Sequence, residues 1–486
     1  MSDLYARLET PLPARLPAGS ATAVFCYGAC FHRSEHVREL AILVDGVAHR
    51  PAAVRMPRPD LAPALGGPSA EYPEDRTYRS GFWATVPVAA GAPGTTIDLQ
   101  AAVRLGSGRE EIAPLARIEV MDPDSPQSWD DLPVERAGLI AVCMATFDPD
   151  PELFRIQIDS LREQTERRWV CVISDDESSP EHFAQIEETV GDDPRFRISR
   201  SDRHLSFYRN FERALRLAPP EAELLALCDQ DDRWYPDKLE TLRGALGSAQ
   251  LAYSDQRLVD AEGRVLRETM WEGRRNNHTS LASMLVANTI TGAASLFRRE
   301  VAALALPFPQ TPGLRFHDHW LALVALAAGD VAYVDRPLYD YVQHPGAVFG
   351  DVAKGHRRGP RQAPWRGGRR DYFFGYLPRD MQARALLVAC ESRLEPRKRR
   401  ALRRFVASAR SPLALAWLAT RPLRALIGRN ETLGSEGALA RGILWRWLVG
   451  AGSRWSRAPG RLGWNASMPP VLTAEGRGLR RWRARL

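Results

Sequence analysis

The chain has 486 residues, of which 44% are hydrophobic and 26% are charged. At roughly 100–200 residues per domain this length predicts about two to four domains, and the composition excludes a disordered, collagen-like or purely coiled-coil chain. The net charge of +7 conceals an asymmetry: residues 351–486 hold 30 Lys and Arg against 8 Asp and Glu, whereas residues 1–350 hold 36 against 51. A strongly basic C-terminal region therefore follows an acidic body.

The cysteines and the hydropathy pattern indicate a cytoplasmic, soluble or peripheral protein. The six cysteines are scattered, and three lie in apolar runs typical of buried strands, so we expect free thiols in a reducing compartment. Cys26 and Cys30 stand four apart without a second ligand pair, which favours two small thiols over a zinc site. We recognise no signal peptide at the N-terminus and no apolar run of the ~18 residues that a membrane span needs.

Residues 1–120 alternate short β-prone runs with Gly- and Pro-containing turns. Asp45 and Gly46 lie between two such runs, which is typical of a tight hairpin. This region is predicted to be a β-sandwich-like accessory domain. Residues 121–137, rich in Pro, Asp and Ser, are predicted to be a linker.

From residue 138 to residue 350 apolar strand-like runs alternate with segments of helical spacing. This alternation predicts an α/β domain around a mostly parallel sheet, in which ligands bind beyond the carboxyl ends of the strands. Residues 351–486 are predicted to be a basic, mostly helical region, with helices over 381–410 and 411–427. Function should lie in the residues that follow each strand of the α/β domain.

Acidic residues follow three of these predicted strands, at 146–148, 175–176 and 229–232. Acidic residues at these strand ends would form one acidic crevice, which would repel the phosphates of a nucleotide unless a cation intervened. Mg²⁺ or Mn²⁺ would remove the repulsion, since hard cations bind carboxylate oxygens together with substrate phosphates. The alternative is a solvated turn in which Asp232 caps the next helix. The sequence favours a divalent metal.

Several blocks in this region resemble a known family. They are AVCMATFDPDPELFRIQIDSLREQTERRWVCVISDDESS, HLSFYRNFERAL, LLALCDQDDRWYPDKLETL, NTITGAASLFRR and FHDHWLALVALAAGDVAYVDRPLYDYVQHPGAVFG, in that order along the chain. Together they resemble the family 2 glycosyltransferases with the GT-A fold, and within that family the rhamnosyltransferase-type members. The resemblance implies an enzyme that moves a sugar from a nucleoside-diphosphate donor to an acceptor hydroxyl, with inversion at the anomeric carbon.

The resemblance also implies roles for individual residues. Asp318 matches the general base, and Asp231 and His344 match the metal site. Two positions depart from the family pattern, Asp148 where many relatives have Asn and Val342 where relatives often have Arg. The donor side would comprise Thr146, Asp148, Asp175, Asp176, Asp229 and Gln230, and the acceptor side Trp234, Thr291, Gly292, His317, His319 and Trp320.

Some of these residues have structural alternatives. Asp318 could cap the apolar helix that follows it, and Trp234 could be a core residue. Asn288 is expected beside the acceptor. Asn210 is expected near the donor or on a polar helix surface.

The remaining predictions concern alternative functions and partners. A non-catalytic glycan-binding or scaffold protein with a degenerate transferase domain is the alternative function, and a nucleotidyltransferase is disfavoured because the first strand lacks a Gly-rich phosphate loop. We expect a dTDP- or UDP-sugar donor and a glycan or lipid-linked saccharide acceptor of the cell envelope. The basic C-terminal region, interleaved with tryptophans, favours an anionic membrane surface over nucleic acid and predicts a peripheral location at the inner face of the cell membrane.

Overall fold

The computed structural model describes most of the chain. Nothing is described of the side chains of residues 425, 426 and 449–455. Eight of the 17 residues of the predicted linker lie outside the described residues, as do the Arg-rich segment 351–366 and the C-terminal residues from 456 onward. The described residues are 3–58, 60–65, 74–122, 129, 132–271, 276–310, 316–344, 367–427, 432 and 434–455.

The N-terminal region forms two sheets that bury a common apolar core. A four-stranded sheet has the order β1-β3-β7-β6 and a five-stranded sheet the order β2-β9-β8-β4-β5. Asp45 and Gly46 both have positive φ, 48° and 81°, and make the predicted hairpin between β4 and β5. The elements are β1 Leu4–Leu8, β2 Arg15–Pro17, β3 Ala21–His32, β4 Val37–Val44, β5 Val47–His49, β6 Ala53–Met56, α1 Leu61–Ala64, α2 Glu74–Tyr78, β7 Gly81–Ala89, β8 Thr96–Leu105 and β9 Glu110–Met121.

The strands of the α/β region form one nine-stranded mixed sheet, which confirms the α/β architecture. Its order is β12-β11-β10-β13-β17-β15-β18-β14, with β16 paired to β15; the first four strands run parallel. The strands are β10 Ile140–Thr146, β11 Trp169–Asp175, β12 Phe196–Arg200, β13 Leu224–Cys228, β14 Arg233–Trp234, β15 Leu251–Asp260, β16 Val265–Arg267, β17 Ser295–Arg298 and β18 Val331–Gln343. The helices are α3 Pro151–Arg162, α4 Pro180–Val190, α5 Phe207–Leu217, α6 Lys238–Leu246, α7 Leu281–Val286, α8 Arg299–Ala305 and α9 His317–Ala328, with a 3-10 turn at Gly292–Ala294.

The first two helices of this region begin where the sequence provides caps. The Asp150 carboxylate accepts the N–H groups of Glu152 and Leu153 at the start of α3. The Ser179 hydroxyl accepts the N–H of His182 at the start of α4. Each cap is followed by a proline, whose missing N–H costs nothing in the first turn. These caps fix where the chain turns back after β10 and β11, at the edge where the acidic residues gather.

The C-terminal region packs into the body of the protein. The predicted helix over 381–410 is two helices, because the chain turns at residues 390–395 and Pro396 starts a new one. The Arg379 guanidinium donates to the Val286 carbonyl, and Phe373 lies 5.7 Å from Trp83 of β7 between ring centroids. The elements are α10 Gly368–Arg370, a π-helical segment Asp371–Tyr376, α11 Leu377–Ala389, α12 Pro396–Ala407, α13 Pro412–Thr420, α14 Leu423–Leu426 and α15 Ser435–Trp455.

One apolar core joins the three regions. It contains residues of β3 and β7, of the α/β sheet and its helices, and of the C-terminal helices from Tyr372 to Ile443. All six cysteines are buried as free thiols. In the part of the chain that the structure describes, every helix is too short or too polar to cross a bilayer.

Candidate active site

The acidic cluster lies in the middle of the α/β sheet, where β13 ends at Cys228. The chain passes through residues 229–232 and pairs at once with β18, Trp234 opposite Tyr339. Burial and then the charges of Asp231 and Asp318 raise the pKa of Asp229 to about 7. Asp318 comes from α9, far away in sequence. The fold therefore brings Asp229 and Asp231 into electrostatic contact with Asp318, the predicted base.

Asp231 and His344, the two predicted metal ligands, contact each other directly. Asp231 Oδ2 lies 2.7 Å from His344 Nε2, and this hydrogen bond raises the pKa of His344. Both side chains keep some exposure, 19% and 16%. Among the described residues no group of three or more His, Cys, Asp and Glu side chains is arranged to hold a metal ion. Asp231 Oδ2 and His344 Nε2 are thus two candidate metal-ligand atoms at one accessible point.

Asp232 is buried, and the structure contradicts its role as a helix cap. The residue that precedes α6 is Asp237, while Asp232 Oδ1 accepts the Val342 N–H at 3.3 Å. Its Oδ2 finds no hydrogen-bond partner within the described ranges. Burial, followed by the charges of Asp229 and Asp231, raises its pKa well above the usual range. The Asp232 carboxyl group is therefore held in the protein interior, next to the partly exposed Asp231.

Lys238, in the first turn of α6, is a site residue that the sequence analysis missed. Its side chain is 0% exposed. The ammonium donates to the Ala293 carbonyl at 2.5 Å and lies 3.4 Å from the centroid of the Trp234 ring. Trp234 is 1% exposed, which favours the core alternative over the acceptor side. A lysine so soon after three acids in four residues was the available signal.

Asp318 lies in the first turn of α9 and does not cap it, because Phe316 precedes the helix. Burial raises the pKa of Asp318 to about 7, although hydrogen bonds from the His319 N–H and the Asn288 amide oppose the shift. Asn288 also closes its own turn by accepting the Ile290 N–H at 3.0 Å. Asn288 therefore lies beside the predicted base.

Gly292 makes room for α9. A Cβ atom on Gly292 would lie 2.7 Å from His317 Nε2 and 3.5 Å from Asp318 Cβ. The space beside Gly292, which the sequence analysis places on the acceptor side, is therefore occupied by the helix that carries Asp318. Next to it, Thr291 is half-buried, and its hydroxyl accepts the Gln256 amide at 2.9 Å.

Two of the neighbours of Asp318, which the sequence analysis places on the acceptor side, turn into the core. His319 Nε2 lies 2.8 Å from the Met284 carbonyl, and the indole N–H of Trp320 donates to the Ala305 carbonyl. Trp320 is 0% exposed and has no face for a sugar. His317 is 9% exposed and stacks on Phe211 at 3.8 Å between centroids. Burial lowers the pKa of His317 to about 3, so the ring is neutral.

The acids after β11 hold the loops together. The Asp175 carboxylate accepts the Thr146 hydroxyl at 3.1 Å and the Ser178 hydroxyl at 2.5 Å. The Asp176 carboxylate accepts the N–H groups that precede α5 at 2.5 and 2.8 Å. Asp175 and Asp176 are 0% and 1% exposed, which favours a positioning role over direct nucleotide contact. Asn210 is buried too, and its amide donates to the Thr146 carbonyl; it is not a surface residue.

Phe147 is a second residue that the sequence analysis missed. Its ring is 46% exposed and lies 4.7 Å from the His204 ring between centroids. The Gln230 amide clamps its backbone, accepting the Phe147 N–H at 2.8 Å and donating to its carbonyl at 3.3 Å. Asp148, at a positive φ of 40°, accepts the Ser179 N–H at 2.8 Å. An aromatic residue directly at a strand end was the signal for an exposed ring at this edge.

Comparison with known proteins assigns the α/β domain to a protein family. Residues 141–304, which are 164 of the 486, match the model of the glycosyl transferase family 2. This segment is a family 2 glycosyltransferase domain with the predicted GT-A type of α/β fold, and the predicted family is confirmed. The "Uncharacterized protein y4gI" of Sinorhizobium fredii is 28% identical over 129 residues, which are 25% of this chain and 14% of that protein. The match thus spans a small part of that relative's length.

Solved structures with some similarity are also glycosyltransferases. S. aureus TarS 1-349 in complex with UDP-GlcNAc is 15% identical, with a TM-score of 0.39, 65% of this chain and 91% of that chain covered. The mannosyltransferase PcManGT of Pyrobaculum calidifontis, in complex with GDP-Man and Mn²⁺, is 18% identical, with a TM-score of 0.33, 67% of this chain and 91% of that chain covered.

Proposed function

We propose that this chain is an inverting, metal-assisted glycosyltransferase that moves a sugar from a nucleoside-diphosphate-sugar to an acceptor hydroxyl. Burial, Asp231 and Asp318 together raise the pKa of Asp229 at the end of β13, and this electrostatic contact of the three acids is the observation that carries the proposal. Asp229 and Asp231 lie within the segment that matches the family 2 model, and Asp318 lies 14 residues beyond it. Rhamnose from a dTDP donor is the sugar we favour, and a UDP-sugar is the other donor class.

The chemistry needs one base on the acceptor side. The acceptor oxygen bonds to the anomeric carbon on one face while the bond from that carbon to the diphosphate breaks on the other, so the configuration inverts. The acceptor proton passes to the Asp318 carboxylate, and the bonding electron pair leaves with the nucleoside diphosphate. General base catalysis of this kind contributes about 10²–10⁴ in rate. A base with a pKa of about 7 is matched to a neutral medium.

Mg²⁺ or Mn²⁺ fits the donor atoms of the site. Asp231 would be the first ligand and His344 the second, since their side chains already share one accessible point. Burial first, and then neighbouring acidic charges, raise the pKa of Asp229 and of Asp232, and a bound cation would offset both effects. When bound, the ion neutralises the charge that develops on the leaving diphosphate. With only these two protein ligands, phosphate oxygens of the donor and water would supply the remaining ligands of a hard cation.

We assign the exposed edge beside Phe147 to the nucleotide base. The Phe147 and His204 rings offer an aromatic surface, and Gln230 and Asp148 fix the backbone beneath it. Thr146, Asp175 and Asp176 act by holding this edge in place. The acceptor, a glycan or a lipid-linked saccharide of the cell envelope, would lie beside Asp318, Thr291 and His317.

Donor binding tests the proposal directly. We would measure thermal shifts of the full chain with UDP-, dTDP- and GDP-sugars, with and without Mn²⁺, and release of the nucleoside diphosphate. A donor at ~100 Kd should stabilise the fold by about 2.7 kcal/mol. Asp231→Ala should lose the metal-dependent shift. Asp318→Asn should keep it while turnover falls by about 10²–10⁴.

The matched control is Asp192→Ala, an exposed carboxylate after α4, which should behave as the wild type. A wild-type protein that no nucleotide sugar stabilises would contradict the proposal. The non-catalytic glycan-binding or scaffold protein would then be the better description.

A further inference from the structure

The C-terminal helices expose an apolar surface beside a basic one. Five exposed residues recur at steps of three or four along α13 and α14: Leu413, Ala416, Ala419, Leu423 and Ile427, which we call the apolar stripe. Leu413, Leu423 and Ile427 are 81%, 60% and 67% exposed. Between residues 412 and 427, among the side chains that the structure describes, the exposed ones carry no charge.

Helix α15 extends the exposed apolar area. It packs against α13, and its outward residues Arg441, Leu444 and Leu448 follow one helix face. Leu444 and Leu448 are 45% and 54% exposed, while Ile443 on the opposite face is buried in the core. Exposed leucines on two packed helices are a marker of an interaction surface.

A basic flank adjoins the stripe. Helix α12 carries six Lys and Arg residues and no acidic one, and it packs against α13. The Arg404 guanidinium lies 5.2 Å from the centroid of Trp417, which ties the two helices together. We define the basic flank as the exposed residues Arg397, Arg400, Arg403 and Arg404.

We propose that the apolar stripe and the basic flank form a docking surface for an anionic lipid bilayer, on which α13 and α14 lie in the interface plane. Aliphatic side chains enter the headgroup boundary while neighbouring arginines pair with anionic headgroups, the pattern of an interfacial helix. A second copy of this chain would bring the same positive charge to the contact and be repelled. This proposal rests on the proposed function only for the purpose of docking, which is to give the enzyme access to a lipid-linked acceptor.

Vesicle binding of the full chain tests the surface. We would compare co-sedimentation with phosphatidylcholine vesicles and with vesicles that also contain phosphatidylglycerol. The wild type should bind the anionic vesicles, and added salt should weaken binding. The variant Leu413→Asp/Leu423→Asp/Ile427→Asp should bind at least about ten-fold more weakly, since it removes apolar contact and adds negative charge.

The matched control carries the same three changes on exposed residues elsewhere, Val47→Asp/Ile112→Asp/Val265→Asp. It should bind as the wild type does. Equal binding by the stripe variant and the control variant would overturn the proposal, and so would a wild-type protein that stays in the supernatant. If, in addition, light scattering shows a dimer that the stripe variant separates, the surface is a contact between two copies of this chain and the proposal is overturned. We would also measure the donor-induced thermal shift of the stripe variant, so that a loss of vesicle binding is distinguished from a loss of donor binding.

Discussion

Asp318 links the chemistry of the site to its pH dependence. Burial raises its pKa from 3.8 to about 7, so the folded protein favours the neutral acid. The stabilising contribution of this group is complete below the unfolded pKa and is lost as the pH rises through about 7. The ionised form that would accept a proton in the proposed reaction is therefore also the form that costs folding energy.

We expect Asp318→Asn to separate these two effects. The variant stays neutral, so at about pH 8 it should be more stable than the wild type by about 1–3 kcal/mol, and the difference should vanish near about pH 4. The wild-type kcat/KM should rise through an apparent pKa of about 7, and the residual rate of the variant should lack that step. Urea unfolding across pH in EDTA and a pH–rate profile measure both. A stability difference independent of pH would contradict the assignment.

Lys238 and Asp232 form a buried charge system next to Asp231, one of the two predicted metal ligands. Burial lowers the pKa of Lys238 well below its usual range, and the charges of Cys228, Asp232 and Asp229 oppose this shift. We expect Lys238→Met to destabilise the fold by about 2–4 kcal/mol, because the Ala293 carbonyl loses its donor and Asp232 its countercharge.

The double variant Lys238→Met/Asp232→Asn should lose less than the sum of the two single variants, with a coupling of about 1–3 kcal/mol. Denaturant unfolding of the four proteins gives this value. Strict additivity would mean that the two side chains do not interact.

The HDHW motif shows which part of the site a sequence can reveal. Successive residues of an α-helix point about 100° apart, so four neighbouring polar and aromatic residues cannot all face one substrate. Asp318 faces the acid cluster, whereas His319 and Trp320 bond to carbonyls in the core. The motif predicted the base, but the orientation of its neighbours depends on α7 and α8, which come from other parts of the chain.

At the scale of elements, Gly442 is one of the glycines that allow the close packing of α15. A Cβ atom at Gly442 would lie 2.6 Å from the backbone nitrogen and 2.9 Å from the Cα of Tyr372. Because backbone cannot move aside as a flexible side chain can, Gly442→Ala should destabilise the fold by about 1–3 kcal/mol.

Gly437 on the same helix is the matched control, since no atom lies within 4 Å of its Cβ position. Gly437→Ala should be neutral or stabilising by up to about 1 kcal/mol, because alanine favours the helix. Thermal unfolding of both variants measures the difference. Equal midpoints would show that α15 does not pack closely on the π-helical segment.

The elements of the α/β domain were predictable from local pattern because buried parallel strands are continuous apolar runs. The ends of β10, β11 and β13 lie where their acids indicated. The break between α11 and α12 was not predicted, although Pro396 marks it, because both helices share the same Arg and Leu periodicity. Periodicity shows that a segment is helical, but it does not show that two helices share one face.

At the scale of the whole molecule, the basic C-terminal region is part of the core. Its net charge suggested an appendage, but Tyr372, Tyr376 and Met381 are 2%, 1% and 0% exposed. Phe373 covers Trp83 of the N-terminal sheet, and Arg379 bonds to α7 of the transferase domain. The charged residues lie mainly on the outer faces of helices whose inner faces join the other two regions. A surface that docks on a bilayer would thus be rigidly connected to the active site.

This packing predicts that the body does not fold without the C-terminal helices. A truncation that removes residues 367–486 would expose Trp83, now 0% exposed, and would delete Tyr372, Phe373, Tyr376 and Met381 from the core. Burial of each large apolar side chain contributes about 1.5–3 kcal/mol, so five such losses approach the whole stability of about 5–15 kcal/mol. We expect aggregated protein, or a soluble form that binds a hydrophobic dye and lacks a cooperative thermal transition. A truncation after Trp455 keeps every one of these core residues and should melt as the full chain does. A cooperative transition in the shorter protein at the wild-type temperature would instead show that the C-terminal helices are a separate unit, and a docking surface on them would then have no rigid path to the site.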